Sequence, residues 1–276
     1  MAKRIITALV AIPIAILMLV LYKTVFFNIA AGVIGGMIAF ELLRATGCLE
    51  HKAFAYPTIA FAASFPIMMY RHLYHTLPFL VAIYLLLMFS LMLKNYEKVK
   101  YEKLFFMIAV SILICGSMYC FVDMTTLHKR YGIIYLTLAL CLSWIADSGA
   151  YFAGTFLGKH KLCPNISPKK TVEGFIGGLL TNGIFVVIFN LVYVKICASN
   201  GIDLEVNYIV SFLLGAVCAA VGLLGDLTAS IIKRQCGIKD YGKLFPGHGG
   251  MVDRFDSVMF VVPFTYFALH LFSIYK

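Results

Sequence analysis

Apolar residues dominate this chain in runs, and polar residues gather in a few places between them. The runs fall at roughly 5–22, 24–43, 53–70, 76–93, 104–122, 131–157, 172–198, 206–232 and 251–275. Each approaches the ~20 residues a helix needs to cross a bilayer. The pattern predicts an all-α polytopic membrane protein with about nine transmembrane helices. Two runs, 131–157 and 206–232, exceed one span and are expected to tilt or project beyond the bilayer. The first run follows Lys3 and Arg4 and resembles a signal peptide. Its apolar core is too long for one and no small-residue cleavage site follows, so it is read as a retained helix.

Polar positions divide the chain into two parts. Residues 1–125 look like scaffold, nearly free of ionisable groups within the runs apart from Glu41 near a helix end. Residues 131–275 carry the unusual polar groups and the two long polar connections, 158–171 and 233–250. All of 1–276 reads as one integral membrane domain without a soluble module, repeat or low-complexity tract.

Composition agrees. Hydrophobic residues make up 62% and charged residues 13%, against about 25% charged in soluble domains. The net charge of +10 suits orientation and anionic lipid headgroups, and no nucleic-acid motif accompanies it. Placing the N-terminus inside puts 17 of the 23 Lys and Arg on inner segments. The expected topology therefore has a cytoplasmic N-terminus, an outer C-terminus and both long connections in the cytoplasm. The eight cysteines have no CxxC spacing and imply neither disulfides nor zinc. The seven histidines show no metal-ligand spacing, and GxSxG, Walker A and HExxH patterns are absent.

Ionisable groups at membrane depth are costly and usually functional. Asp226, Ser230 and Lys233 are spaced i, i+4, i+7 and share one helix face, able to hold a cation beside a phosphate. Asp253 and Asp256, flanking Arg254, share a face at i, i+3. Two close carboxylates repel unless protonated or bridged by a cation. Hard oxygen ligands point to Mg²⁺, which binds few carboxylates and fills its shell with phosphate and water. A helix dipole would account for one Asp in a first turn but poorly for this pair with Asp226 before it.

The intervening loop brings Lys239, Lys243 and His248 together with Gly249 and Gly250, suited to backbone approach to phosphate. His248 is read equally as a phosphate contact or a brace for the loop. Farther back, Asp147 lies in a Gly- and Ala-rich helix, and SPKKT supplies Ser167, Lys169 and Lys170 as phosphate or headgroup contacts. Glu173 is expected to cap the following helix.

The stretch SIIKRQCGIKDYGKLFPGHGGMVDRFD, residues 230–256, resembles the signature of phosphatidate cytidylyltransferases, the CDP-diacylglycerol synthases. That signature runs S, two residues, KR, then KD, then HGG, then DRxD. It is matched by Ser230, Lys233, Arg234, Lys239, Asp240, His248, Gly249, Gly250, Asp253, Arg254 and Asp256. The Asp147 segment with SPKKT is similar as well. Ala229 departs from the pattern, because many members carry Glu before the serine.

The resemblance implies cytidylyl transfer from CTP to phosphatidate, with pyrophosphate released, on the cytoplasmic face of a bacterial inner membrane. It implies catalytic roles for Asp226, Lys233, Arg234, Asp253, Arg254 and Asp256, and Mg²⁺ on Asp226, Asp253 and Asp256 with room for a second cation. It implies a homodimer among membrane lipids. Three rival readings are weighed. A CTP-dependent lipid kinase would release CDP. A cation-coupled transporter would use intramembrane Asp with broken helices, but the basic loops and one-sided charge argue against it. A non-catalytic assembly protein leaves the carboxylates unexplained.

Overall fold

The computed structural model describes residues 13, 15–126, 132–247, 249–272 and 274. It is 77% helical. The helices are α1 (Val25–Ala45), α2 (Lys52–Met68), α3 (Leu77–Lys94), α4 (Tyr101–Asp123), α5 (Gly132–Leu157), α6 (Val172–Ser199), α7 (Tyr208–Gln235), α8 (Val252–Phe255) and α9 (Val258–Leu271). Between α5 and α6 lies an antiparallel hairpin of β1 (Lys161–Cys163) and β2 (Ser167–Thr171), with Lys161 opposite Thr171 and Cys163 opposite Ser167.

Among the described residues, six helices are long and apolar enough to cross a membrane, against the expected nine or so. Half of the run at 5–22 lies outside the described residues. The run at 53–70 becomes α2, only 17 residues long, with Pro57 and Pro66 inside it. The run at 251–275 is interrupted after Phe255, leaving α9 with 14 residues. The first lies at the short limit of a perpendicular span and the second falls below it.

The chain divides into two compact units. The first joins the described residues up to Ile133 with Ile232–Phe255. Pro66 has no N–H to give the Ala62 carbonyl, and the backbone at Gly35 approaches that carbonyl closely. Asn28 Nδ2 donates to Pro66 O at 2.8 Å. Polar groups freed by proline in a membrane helix need such neighbours. Stacked rings, Phe27 on Phe121 and Phe61 on Tyr84, fill the core. Tyr84 OH lies 3.2 Å from Thr58 Oγ1 and accepts from Ser111 Oγ at 3.1 Å.

The second unit holds Ile134–Ile231 and Asp256 onward. Small residues let its backbones approach, as expected for helix packing in lipid. Gly149 and Gly154 of α5 face Thr181 and Gly174 of α6, and a Cβ at Gly177 would overlap that of Ala153. Asn182 Nδ2 donates to Gly215 O of α7 at 2.8 Å. The contact predicts that Gly177→Leu destabilises the protein by about 1–3 kcal/mol through overpacking. Gly116→Ala, facing open space, should leave the midpoint of thermal unfolding in detergent within a degree or two of wild type. Equal midpoints for the two variants would refute close packing at Gly177.

Candidate active site

In the first unit the site is built around Asp253. Helix α7 ends where Gly237, at φ +66°, turns left-handed, and Ile238 N returns to Lys233 O at 3.0 Å. Glycine tolerates this closing turn without a steric penalty. Beyond the turn, Tyr241 comes within hydrogen-bond reach of Asp253. Phe245 N donates to Gly249 O at 3.0 Å, tightening the loop. Gly249 has φ +84°, and a Cβ there would lie 2.7 Å from Asp253 Oδ2, so this position requires glycine on two grounds.

Asp253 gathers that loop. Lys233 Nζ donates to its Oδ1 at 2.9 Å. Tyr241 N and Gly250 N donate to its Oδ2 at 2.8 and 2.9 Å. The side chains of Asp253 and Lys233 are only 6% and 15% exposed, so water screens the pair weakly. The Lys233 ammonium also stands 5.6 Å from the centre of the Tyr241 ring. Beside this knot, Arg44, Ile238, Lys239, Asp240, Gly242 and Lys243 line an open hollow of about 580 Å³. Its three cations make it suited to a phosphate chain.

Two contributors to this unit come from α1, which the polar pattern classed as scaffold. Buried Glu41 accepts from Val252 N at 2.9 Å. Arg44 donates to the Tyr241 carbonyl. The available signal was slight: Glu41 and Arg44 are the only ionisable residues in an otherwise apolar helix.

In the second unit, Lys170 of β2 forms an ion pair with Asp226 of α7, each side chain 23% exposed. Two motifs far apart in sequence thus meet. The hairpin is fastened at its base. Thr171 caps α6 by accepting from Gly174 N at 3.1 Å. Glu173, expected as that cap, instead accepts from Lys159 N at 3.0 Å and pairs with His160 Nδ1 at 2.6 Å. It therefore ties the end of α5 to the start of α6. Ser167 is half-buried on the same strand and Lys169 is exposed. Gly225 brings the α7 backbone against the Asp256 carbonyl, and Asp256 Oδ1 accepts from Ser257 N at 2.8 Å.

Of the other expected residues, Asp147 is exposed on α5, and Arg234 and Arg254 are exposed at their helix ends. Ser230 is half-buried on α7. His248 lies outside the described residues. Among the described residues no three His, Cys, Asp or Glu side chains form a cluster able to hold a metal. The donor chemistry nonetheless fits Mg²⁺, which commonly takes one or two carboxylates and completes its shell with phosphate and water. Asp226 and Asp256 supply two such groups within one unit. Asp253 differs, since both its oxygens accept N–H donors.

The sequence profile of the cytidylyltransferase family matches residues 2–272. A phosphatidate cytidylyltransferase of Bacillus subtilis (strain 168) is 41% identical over 194 residues, covering 70% of this chain and 68% of that protein. One from Staphylococcus epidermidis is 43% identical over 135 residues, 49% of this chain and 48% of its own. One from Staphylococcus haemolyticus is 38% identical over 180 residues, 65% and 64% respectively. The aligned parts thus span about half to two thirds of the length of these relatives.

Proposed function

The chain belongs to the cytidylyltransferase family and is a nucleotidyltransferase, and from that premise we propose that it transfers the cytidylyl group of CTP to phosphatidate at the cytoplasmic face of a membrane. The observation that carries the reading is the ion pair of Lys170 with Asp226. It unites the two polar motifs that sequence alone could only set side by side.

An oxygen of the phosphatidate phosphate bonds to the α-phosphorus of CTP. The bond from that phosphorus to the oxygen bridging the β-phosphate breaks, and pyrophosphate leaves with the electron pair. The attacking phosphate is already an anion, so the reaction needs charge neutralisation and alignment more than a strong base. This is consistent with a site whose described residues are rich in Lys, Arg and Asp.

Lys239, Lys243 and Arg44 on the hollow would neutralise the triphosphate and the leaving pyrophosphate, with Arg234 and Arg254 adding to the field. Gly250 N, expected to face phosphate, is instead taken by Asp253, so the glycine-rich loop would offer phosphate oxygens other N–H groups than those of Tyr241 and Gly250. Ser167, Lys169 and Lys170 on the hairpin, with Ser230 on α7, would orient phosphate in their unit. Asp147 would accept a nucleotide hydroxyl or hold a cation. When bound, Mg²⁺ supplies Lewis-acid neutralisation of phosphate oxygens. Asp226 and Asp256 would hold it, whereas Asp253 would meet a cation only by releasing the Lys233 ammonium. Acyl chains would remain in the bilayer while CTP arrives from the side of the basic loops.

Purified protein supplied with phosphatidate, Mg²⁺ and α-labelled CTP is expected to move label into a lipid product, with pyrophosphate released and both lost on chelation. Label left as soluble CDP beside a newly phosphorylated lipid would replace this reading with a kinase. No CTP consumed by folded protein would favour transport.

A further inference from the structure

We propose that Glu41 is a positioning residue for the reaction, its buried carboxylate holding Gly242, Gly250 and Val252 where they present Asp253 and Lys243. The proposal rests on the cytidylyl-transfer reading for its kinetic consequences but not for its structural ones.

A carboxylate in an apolar helix is costly unless hydrogen-bonded. Glu41 is 6% exposed. Its Oε2 accepts from Val252 N at 2.9 Å, a charge-assisted bond of the stronger kind. The loop's backbone also closes on the carboxylate. A Cβ at Gly242 or Gly250 would overlap the Glu41 oxygens, so both positions are glycine where a side chain would dislodge it. One turn along α1, Arg44 donates to the Tyr241 carbonyl. Helix α1 therefore grips the loop near both ends, at Tyr241 and Val252.

Asp253 grips the same loop from within it, through Tyr241 N and Gly250 N. Glu41 borders the backbone of Gly250, whose N–H bonds Asp253, and bonds the residue immediately before Asp253. Both carboxylates therefore act on one short segment, and loosening one releases the frame of the other. Misplacement by about an ångström can cost on the order of a hundredfold in rate. Truncating Glu41 should thus be felt in the reaction even though it touches no reacting atom.

The test uses full-length protein in detergent with Glu41→Ala, Glu41→Gln and, independently, Gly250→Ala. Amide hydrogen exchange is read across residues 241–252 and across α4, and kcat and KM for CTP are measured separately. Glu41→Ala is expected to speed exchange in 241–252 by about tenfold, the worth of one lost bond to a charged group, with α4 unchanged. KM for CTP should rise or kcat fall by at least about tenfold. Glu41→Gln keeps an acceptor for Val252 N and should recover part of both effects, while Gly250→Ala should reproduce the loss. Unaltered exchange in 241–252, an equal rise in α4, or unaltered kinetics in both Glu41→Ala and Gly250→Ala would overturn the proposal. If wild-type protein makes no lipid-linked cytidylyl product, the functional reading fails instead, and the exchange comparison alone then decides whether Glu41 holds the loop.

Discussion

Asp253→Asn is expected to lower turnover by at least about a hundredfold while the protein still folds. The carboxylate accepts from an ammonium on one oxygen and from two backbone N–H groups on the other. An amide of the same shape has one acceptor and one donor. Whichever way it turns, its NH₂ faces either the Lys233 ammonium or the N–H groups of Tyr241 and Gly250. Removing one member of a buried ion pair typically costs about 3–5 kcal/mol. Roughly 3 kcal/mol spent in loosening the loop already corresponds to a hundredfold in rate. The expected pattern is a kcat loss with a modest fall in thermal stability, because the disturbance is confined to one loop. Lys233→Met should be milder structurally, since both backbone donors of Asp253 remain. The measurements are kcat, KM for CTP and the unfolding midpoint of purified protein. Near-wild-type kcat in Asp253→Asn would remove this residue from the essential set.

The sequence made the membrane class and most helices legible because hydropathy is a local property. Runs at 76–93, 104–122, 172–198 and 206–232 correspond closely to α3, α4, α6 and α7. The same signal could not see where a run is cut. The step at Asp256 and Ser257 separates α8 from α9, inside a stretch that averages as apolar. The short hairpin was hidden too: β2 reads SPKKT, with no alternation of apolar residues to mark a strand. The Gly and Ala residues that the sequence places along α5 pack against α6, the common use of small residues at such spacing in lipid.

The candidate site was legible where its residues are neighbours in sequence and illegible where they are not. Lys233, Tyr241, Gly250 and Asp253 lie within one short stretch of the first unit, so pattern and spacing singled that stretch out. Glu41 and Arg44 reach that stretch from about two hundred residues away. A lone Glu in a helix says only that something must satisfy it. The partner is a backbone N–H, which carries no residue-specific mark. The cap of α6 illustrates the same limit: Thr171 and Glu173 both suit a helix start, and only the geometry assigns one to the cap and the other to Lys159 and His160.

The Lys170–Asp226 pair invites a harder experiment, because an ion pair can be structural or functional and deletion does not separate the two. Lys170→Met and Asp226→Asn are each expected to reduce turnover by roughly a hundredfold or more, comparable to removal of one preorganised electrostatic contact in an active site. Each also leaves its partner half-buried without the opposite charge. The exchange Lys170→Asp with Asp226→Lys restores an ion pair between the same backbone positions. If the pair only joined the hairpin to α7, the exchanged protein would regain both stability and turnover. If Lys170 meets phosphate and Asp226 a cation, reversal puts a carboxylate against the anion and an ammonium against the cation. Stability should then recover while turnover stays at least about a hundredfold down. The two readouts come from one purified sample: an unfolding curve and a lipid-product assay. Recovery of turnover alongside stability would reduce the pair to a brace, and the functional reading would lose the observation on which it chiefly stands.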